Sequence, residues 1–199
     1  MIDLIQAQLE NTYGLSSELK VSDFLVDETA ARALGGTARA REELLVSEGA
    51  EGLELALYLH PSLSHPQTLG EFCEVVEGVS HFLYLAHTAK EERRVSLLEL
   101  EAQAEVDKFI VCVLRRGFRG GGLPALLAAL FERVSLHAHL TEAERWRYAE
   151  ANRLARSYAR RLVPLILTAS LERFLAEVRH MYRLGADAKL RYFAQLRPA

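Results

Sequence analysis

Apolar residues recur along this chain first in a mixture of periods and then, from Pro61 onward, at the period of a helix. In residues 2–13, Ile2, Ile5 and Leu9 fall on one side of a helix that Gly14 ends. Between Val21 and Gly36 two readings coexist. Asp27 can cap a short helix closed by Gly35 and Gly36, and Phe24 to Val26 can be extended. Glu43–Ser47 and Leu53–Leu59 then flank the turn-rich segment Glu48-Gly49-Ala50-Glu51-Gly52. In the second run Leu53, Leu55, Leu57 and Leu59 alternate with Glu54, Ala56 and Tyr58, which is a strand with one apolar face. A lone hairpin is marginal in water, so its leucines are expected to lie on helices.

Three later segments begin alike. Thr68-Leu-Gly-Glu71, Ser96-Leu-Leu-Glu99 and Thr141-Glu-Ala-Glu144 each match the capping box, in which hydroxyl and carboxylate satisfy the first free amides of a helix. They predict helices over 69–89, 97–115 and 142–163. Pro124 suits the first turn of another helix, to about Arg133. Ser170 opens one that Gly185 closes, and 186–196 forms the last. The segment 97–114 is apolar over most of its circumference and belongs at the centre. The predicted fold is mainly α, a helical bundle around 97–114 with one β-hairpin (43–59) packed on it. The connections are too short for parallel strands and crossovers. A single domain 1–199 is expected, with the N-terminal helix and hairpin in 1–60 and the bundle in 61–199.

Composition changes this picture little. The 199 residues are 50% hydrophobic and 26% charged, as in an ordinary globular domain. Cys73 and Cys112 lie in helical patterns without paired spacing, which fits free buried thiols in a reducing compartment. MIDLIQAQLE is not a secretory leader, and LVPLILTA is too short to span a bilayer. The cytoplasm is the expected location, with no membrane partner. Charge is uneven: residues 142–199 carry 12 Lys+Arg against 6 Asp+Glu, and the preceding residues 12 against 21. Such polarity can steer a charged partner or hold two halves of one chain together.

Candidate chemistry is sparse. Glu74, Glu77 and His81 share a helix face, as metal ligands on a bundle helix would. The stripe Phe72, Val76, Val79, Leu83 and Ala86 lies opposite, so the charged face is expected in solvent and no metal is favoured. On the central helix, Glu101, Glu105 and Lys108 form one stripe between apolar neighbours, and Glu99, Gln103 and Asp107 another. Buried charges need partners. The stripes predict a structural network, Glu105 with Lys108 and Glu101 with an arginine from the basic half. The alternative is a carboxylate pair for acid–base work or a divalent ion. Arg145, Arg153, Arg156 and Arg160 line one face of the helix after Thr141 beside Trp146, a stripe able to meet a partner or an anion. The glycine-rich RRGFRGGG at 115–122 lacks the Lys-Ser/Thr of a P-loop and reads as a connector. Arg173 and His180 are separated by six residues, and in this resemble the Arg-x4–6-His motif of HEPN-type ribonucleases. That likeness covers those two positions and implies RNA cleavage there.

Nothing else resembles a catalytic or cofactor motif, and no cofactor is expected. The sequence therefore predicts a non-catalytic interaction or regulatory protein whose partner is another protein. Two alternatives stand beside it: an enzyme or divalent-metal site on the central helix, and an RNA-binding or RNA-cleaving protein using the arginine stripe.

Overall fold

The computed structural model describes residues 1–37, 39–49, 52–119, 121–134 and 140–195. Ala50 and Glu51 of the hairpin turn, Gly120 of the glycine-rich loop and Leu196 of the predicted last helix lie outside them. In order, the chain forms α1 (Ile2–Tyr13), β1 (Leu25–Val26), α2 (Glu28–Ala33), β2 (Glu42–Gly49), β3 (Gly52–Leu59), α3 (Leu69–Lys90), α4 (Leu97–Arg115), α5 (Leu123–Leu127), α6 (Glu142–Thr168), α7 (Leu171–Tyr182) and α8 (Ala186–Ala194). The fold is mainly α with a small sheet. It divides into two compact units, residues 1–11 with 15–93, and residues 12–14 with 94–199.

The first unit is built on α3 and the sheet. Thr68 accepts a hydrogen bond from the Glu71 amide, and the Glu71 carboxylate accepts from the Thr68 amide, so the capping box starts α3. Amides of Gln67 and Thr68, more than Arg41, hold the Glu71 carboxyl below its ordinary range. β2 and β3 pair antiparallel from Glu42↔Leu59 to Gly49↔Gly52, and this hairpin packs on α3. Directly opposed residues share a face, so Glu42, Leu44, Leu57 and Leu59 lie together. Leu57 is fully buried, whereas Leu53, near the turn, is exposed, so the hairpin docks by its base. Gly78 of α3 permits this approach. A Cβ there would lie 2.9 Å from Glu42 Cγ and 3.0 Å from Leu57 Cδ1.

Of the two readings of the segment before Gly36, the capped helix forms, and the extended one holds for Leu25 and Val26 while Phe24 ends a 3-10 turn from Val21. Asp27 accepts from the Ala30 amide and caps α2, while β1 adds to the hairpin. β1 pairs with β3 in parallel, Leu25↔Leu57 and Val26↔Tyr58, giving the order β1-β3-β2. The expectation that no parallel strands form is corrected here. The chain reaches the parallel register through α2 and β2, and two residues are all it pairs.

The second unit centres on α4, whose stretch from Glu99 to Val113 is buried except for the half-buried Leu100 and Glu105. α6 packs along it, with α5 and α8 alongside. Leu154, Ala155, Tyr158 and Leu162 supply the buried face of α6. That helix continues through Pro164 to Thr168, where the sequence pattern predicts an end at 163. Proline removes one amide and displaces the carbonyl four residues before it. Pro164 and Arg160 are both exposed, so water can serve that carbonyl, and buried Leu162 and Ile166 keep the face continuous. Gly185 also differs from expectation: α7 ends at Tyr182, and Gly185 is the N-cap residue of α8. Among the described residues no helix is long and apolar enough to cross a membrane.

The charge boundary follows this division more sharply than the one drawn at residue 142. Residues 94–199 carry 18 Lys+Arg against 11 Asp+Glu, a balance of +7, and residues 12–14 add none. The first unit carries 6 against 16, a balance of −10.

Candidate functional site

Along α7, Arg173, Glu177 and His180 stand at i, i+4 and i+7, the spacing of one helix face. α6 contributes Arg161 and Leu165, also four apart, and α8 contributes Tyr192. Together with Ala176 these residues line one cavity of about 460 Å³. Ser170 starts α7 by accepting from the Arg173 amide, and buried Phe174, Val178 and Met181 anchor the neighbouring face, which leaves Arg173 and His180 exposed.

The cavity's charged groups are organised by two tyrosines. Glu177 Oε1 accepts from the Tyr192 hydroxyl at 2.7 Å and the Tyr158 hydroxyl at 3.3 Å, and lies 3.8 Å from Arg161. Burial, then the nearby carboxylate, pushes both phenols above their ordinary pKa. The Arg161 guanidinium lies 4.5 Å from the Tyr192 ring centroid and 5.3 Å from that of Tyr158, and donates to the Tyr192 carbonyl. It is thus held in one orientation. Arg173 and His180 are exposed, and the His180 ring meets Tyr192 edge-on at 5.6 Å. Two guanidinium groups, an imidazole and one carboxylate that already has three partners line the same cavity, an arrangement suited to a phosphate beside a hydroxylated group.

The arginine stripe predicted on α6 is placed differently. Arg153 pairs with Glu150 at 2.6 Å, holding that carboxyl below its ordinary range. Arg156 and Arg160 share Glu132, at 2.5 and 3.2 Å, and Arg145 donates to the Leu140 carbonyl at 3.2 Å. Trp146 is exposed. Three of the four arginines of the stripe are thus ion-paired at the surface, and Arg161 and Arg173 line the cavity.

On α4, Lys108 donates to Glu105 at 2.6 Å, and Arg147 of α6 lies 3.6 Å from Glu101. Asp107 belongs to a deeper set. It accepts from the Tyr13 hydroxyl and, at 2.8 Å, from Gln103 Nε2, while Gln103 Oε1 accepts from Lys189 at 2.9 Å. Lys189 also donates to the Tyr182 carbonyl at 3.0 Å. Asp107, Gln103, Lys189 and Tyr13 are all within 1% of complete burial. These groups satisfy one another, which makes them a staple between α4 and α8.

In the first unit, the face of α3 expected in solvent turns instead to β2. His81 is buried and Glu77 half-buried, which corrects that expectation: the hairpin base covers a helix face that its own sequence marks as polar. Glu74 lies 3.3 Å from Arg41. Glu42 of β2 takes its place beside the other two, with its Oε1 3.5 Å from His81 Nδ1. Glu42, Glu77 and His81 each bring one ligand-type atom within 4.8 Å of the others. The sequence contains a faint sign of this, since Glu42 continues the alternation of Leu44 on the leucine side of the hairpin. Cys73 and Cys112 are buried free thiols.

No protein-family model, curated protein or solved structure matches this chain.

Proposed function

We propose that the chain is a binding protein for single-stranded RNA, whose basic unit takes one nucleotide in the cavity between α6, α7 and α8. The observation that carries this reading is the convergence of Arg161, Arg173 and His180 on one cavity. Arg161 and Arg173 take the phosphate, and Glu177 accepts hydrogen bonds from ribose hydroxyls, the groups that distinguish RNA from DNA. Tyr192 and His180 offer ring surfaces for a base. A volume of about 460 Å³ is that of an ordinary small-ligand pocket. The +7 balance of this unit favours the approach of a polyanion. The interaction role read from the sequence then has RNA as its partner.

A short, labelled, single-stranded RNA is expected to give saturable binding by fluorescence anisotropy, weakening as salt rises. Arg173→Ala, at an exposed position, is expected to weaken it about tenfold or more. Arg145→Ala, on the α6 stripe outside the cavity, leaves it unchanged. Wild-type protein that retains no RNA at low salt contradicts the reading.

The presence of His180 and Arg173 on the walls of one cavity favours a second reading, cleavage of the bound strand. His180 would take the proton of a 2′-hydroxyl, whose oxygen attacks the neighbouring phosphorus as the bond to the 5′-oxygen breaks. The 5′-oxygen takes a proton from solvent, leaving a 2′,3′-cyclic phosphate and a 5′-hydroxyl. Intact RNA recovered after long incubation restricts the site to binding.

A further inference from the structure

We propose that Glu42, Glu77 and His81 form a binding site for one divalent transition-metal ion at the seat of the hairpin on α3. The set is one imidazole and two carboxylates, a donor combination that suits Zn²⁺ and its neighbours better than Mg²⁺ or Ca²⁺. Two of the donors come from one helix, at i and i+4, which stacks them on one face. The third comes from a strand, so the cluster exists only where β2 lies against α3.

Gly78 makes that meeting possible. It stands between Glu77 and His81, and the Glu42 side chain lies so close that a Cβ at Gly78 would be 2.9 Å from Glu42 Cγ and 3.2 Å from Glu42 Oε1. Bare helix backbone thus lets the third carboxylate reach the other two. The remaining carboxylates of this face are engaged elsewhere: Arg41 lies 3.3 Å from both Glu71 and Glu74. A metal about 2.1 Å from each donor would hold them about 3.4 Å apart in tetrahedral geometry. They already lie within 4.8 Å of one another, and rotation of the two glutamates closes the difference. His81 is only 6% exposed, which keeps the imidazole out of bulk water and fixes its direction. The unit's charge balance of −10 favours a cation there.

The test is equilibrium dialysis of the full chain, stripped with chelator, against Zn²⁺, with bound metal measured by elemental analysis. Co²⁺ serves as a spectroscopic probe of the coordination. One Zn²⁺ per chain is expected, with a rise in melting temperature and a tetrahedral Co²⁺ spectrum. Glu77→Gln and Glu42→Gln are each expected to weaken uptake at least tenfold, and Glu74→Gln to leave it intact. Circular dichroism melts of the metal-free variants separate loss of ligand from loss of fold, and the half-buried Glu42 and Glu77 are used because His81→Gln alone risks misfolding. Absence of stoichiometric uptake overturns the proposal. So does uptake that Glu77→Gln and Glu42→Gln leave unchanged, because the metal then binds at another surface.

Discussion

Asp107→Ala is expected to lower stability by about 3–5 kcal/mol, the cost of breaking a buried charge network by removing one member. Gln103 links Asp107 and Lys189, donating to one and accepting from the other. Each member is nearly or wholly inaccessible to water. The Tyr13 hydroxyl donates a hydrogen bond to the same carboxylate, and its ring stacks on Tyr182 with centroids 3.9 Å apart. Burial, and then the Asp107 charge, pushes the Tyr13 phenol well above its ordinary pKa, so it stays protonated and donating at neutral pH. Removing the carboxylate leaves the Lys189 cation in a low-dielectric site without its counter-charge. Denaturant melts measure the loss. Asp107→Leu combined with Lys189→Met should recover much of it, because apolar residues of similar volume replace the whole charge set. A loss below about 1 kcal/mol for Asp107→Ala would show that the network does not hold α4 to α8.

Phe109→Ala carries a comparable cost for a different reason, about 3–5 kcal/mol from lost burial and the cavity left behind. Phe109 is fully inaccessible on α4, with the Phe131 ring tilted against it at 6.2 Å. Ile110→Ala, at an equally buried neighbour, should cost about 2–5 kcal/mol. In a chain of this size each kcal/mol moves the melting temperature by roughly 2–4 °C, so either loss is plain in a thermal melt. Near-wild-type melting for both would show that α4 is not the core of its unit.

The sequence discloses what is local. Each of the three capping boxes closes within four residues, and in each the hydroxyl and carboxylate make both reciprocal bonds. The hairpin register follows from alternation and a short turn, and the central position of α4 from its nearly continuous apolar surface. Pro164 misleads because its helix-breaking effect depends on burial, and burial is a property of the folded unit. The two sites depend on meetings of distant residues. Arg173, Glu177 and His180 can be read as one face of α7, yet a face becomes a cavity only when Arg161 and Tyr192 arrive from α6 and α8. Glu74, Glu77 and His81 look solvated when α3 is considered alone. Nothing in the helix itself announces that β2 will cover it, although a glycine amid large residues at position 78 hints at close backbone approach.

The measurement closest to the central claim is hydrogen–deuterium exchange of the full chain with and without saturating single-stranded RNA. Protection confined to residues 171–194, with a smaller effect around Arg161, is the predicted result. Protection centred on 142–160, or none anywhere, would contradict the assignment of the α6–α7–α8 cavity as the binding site.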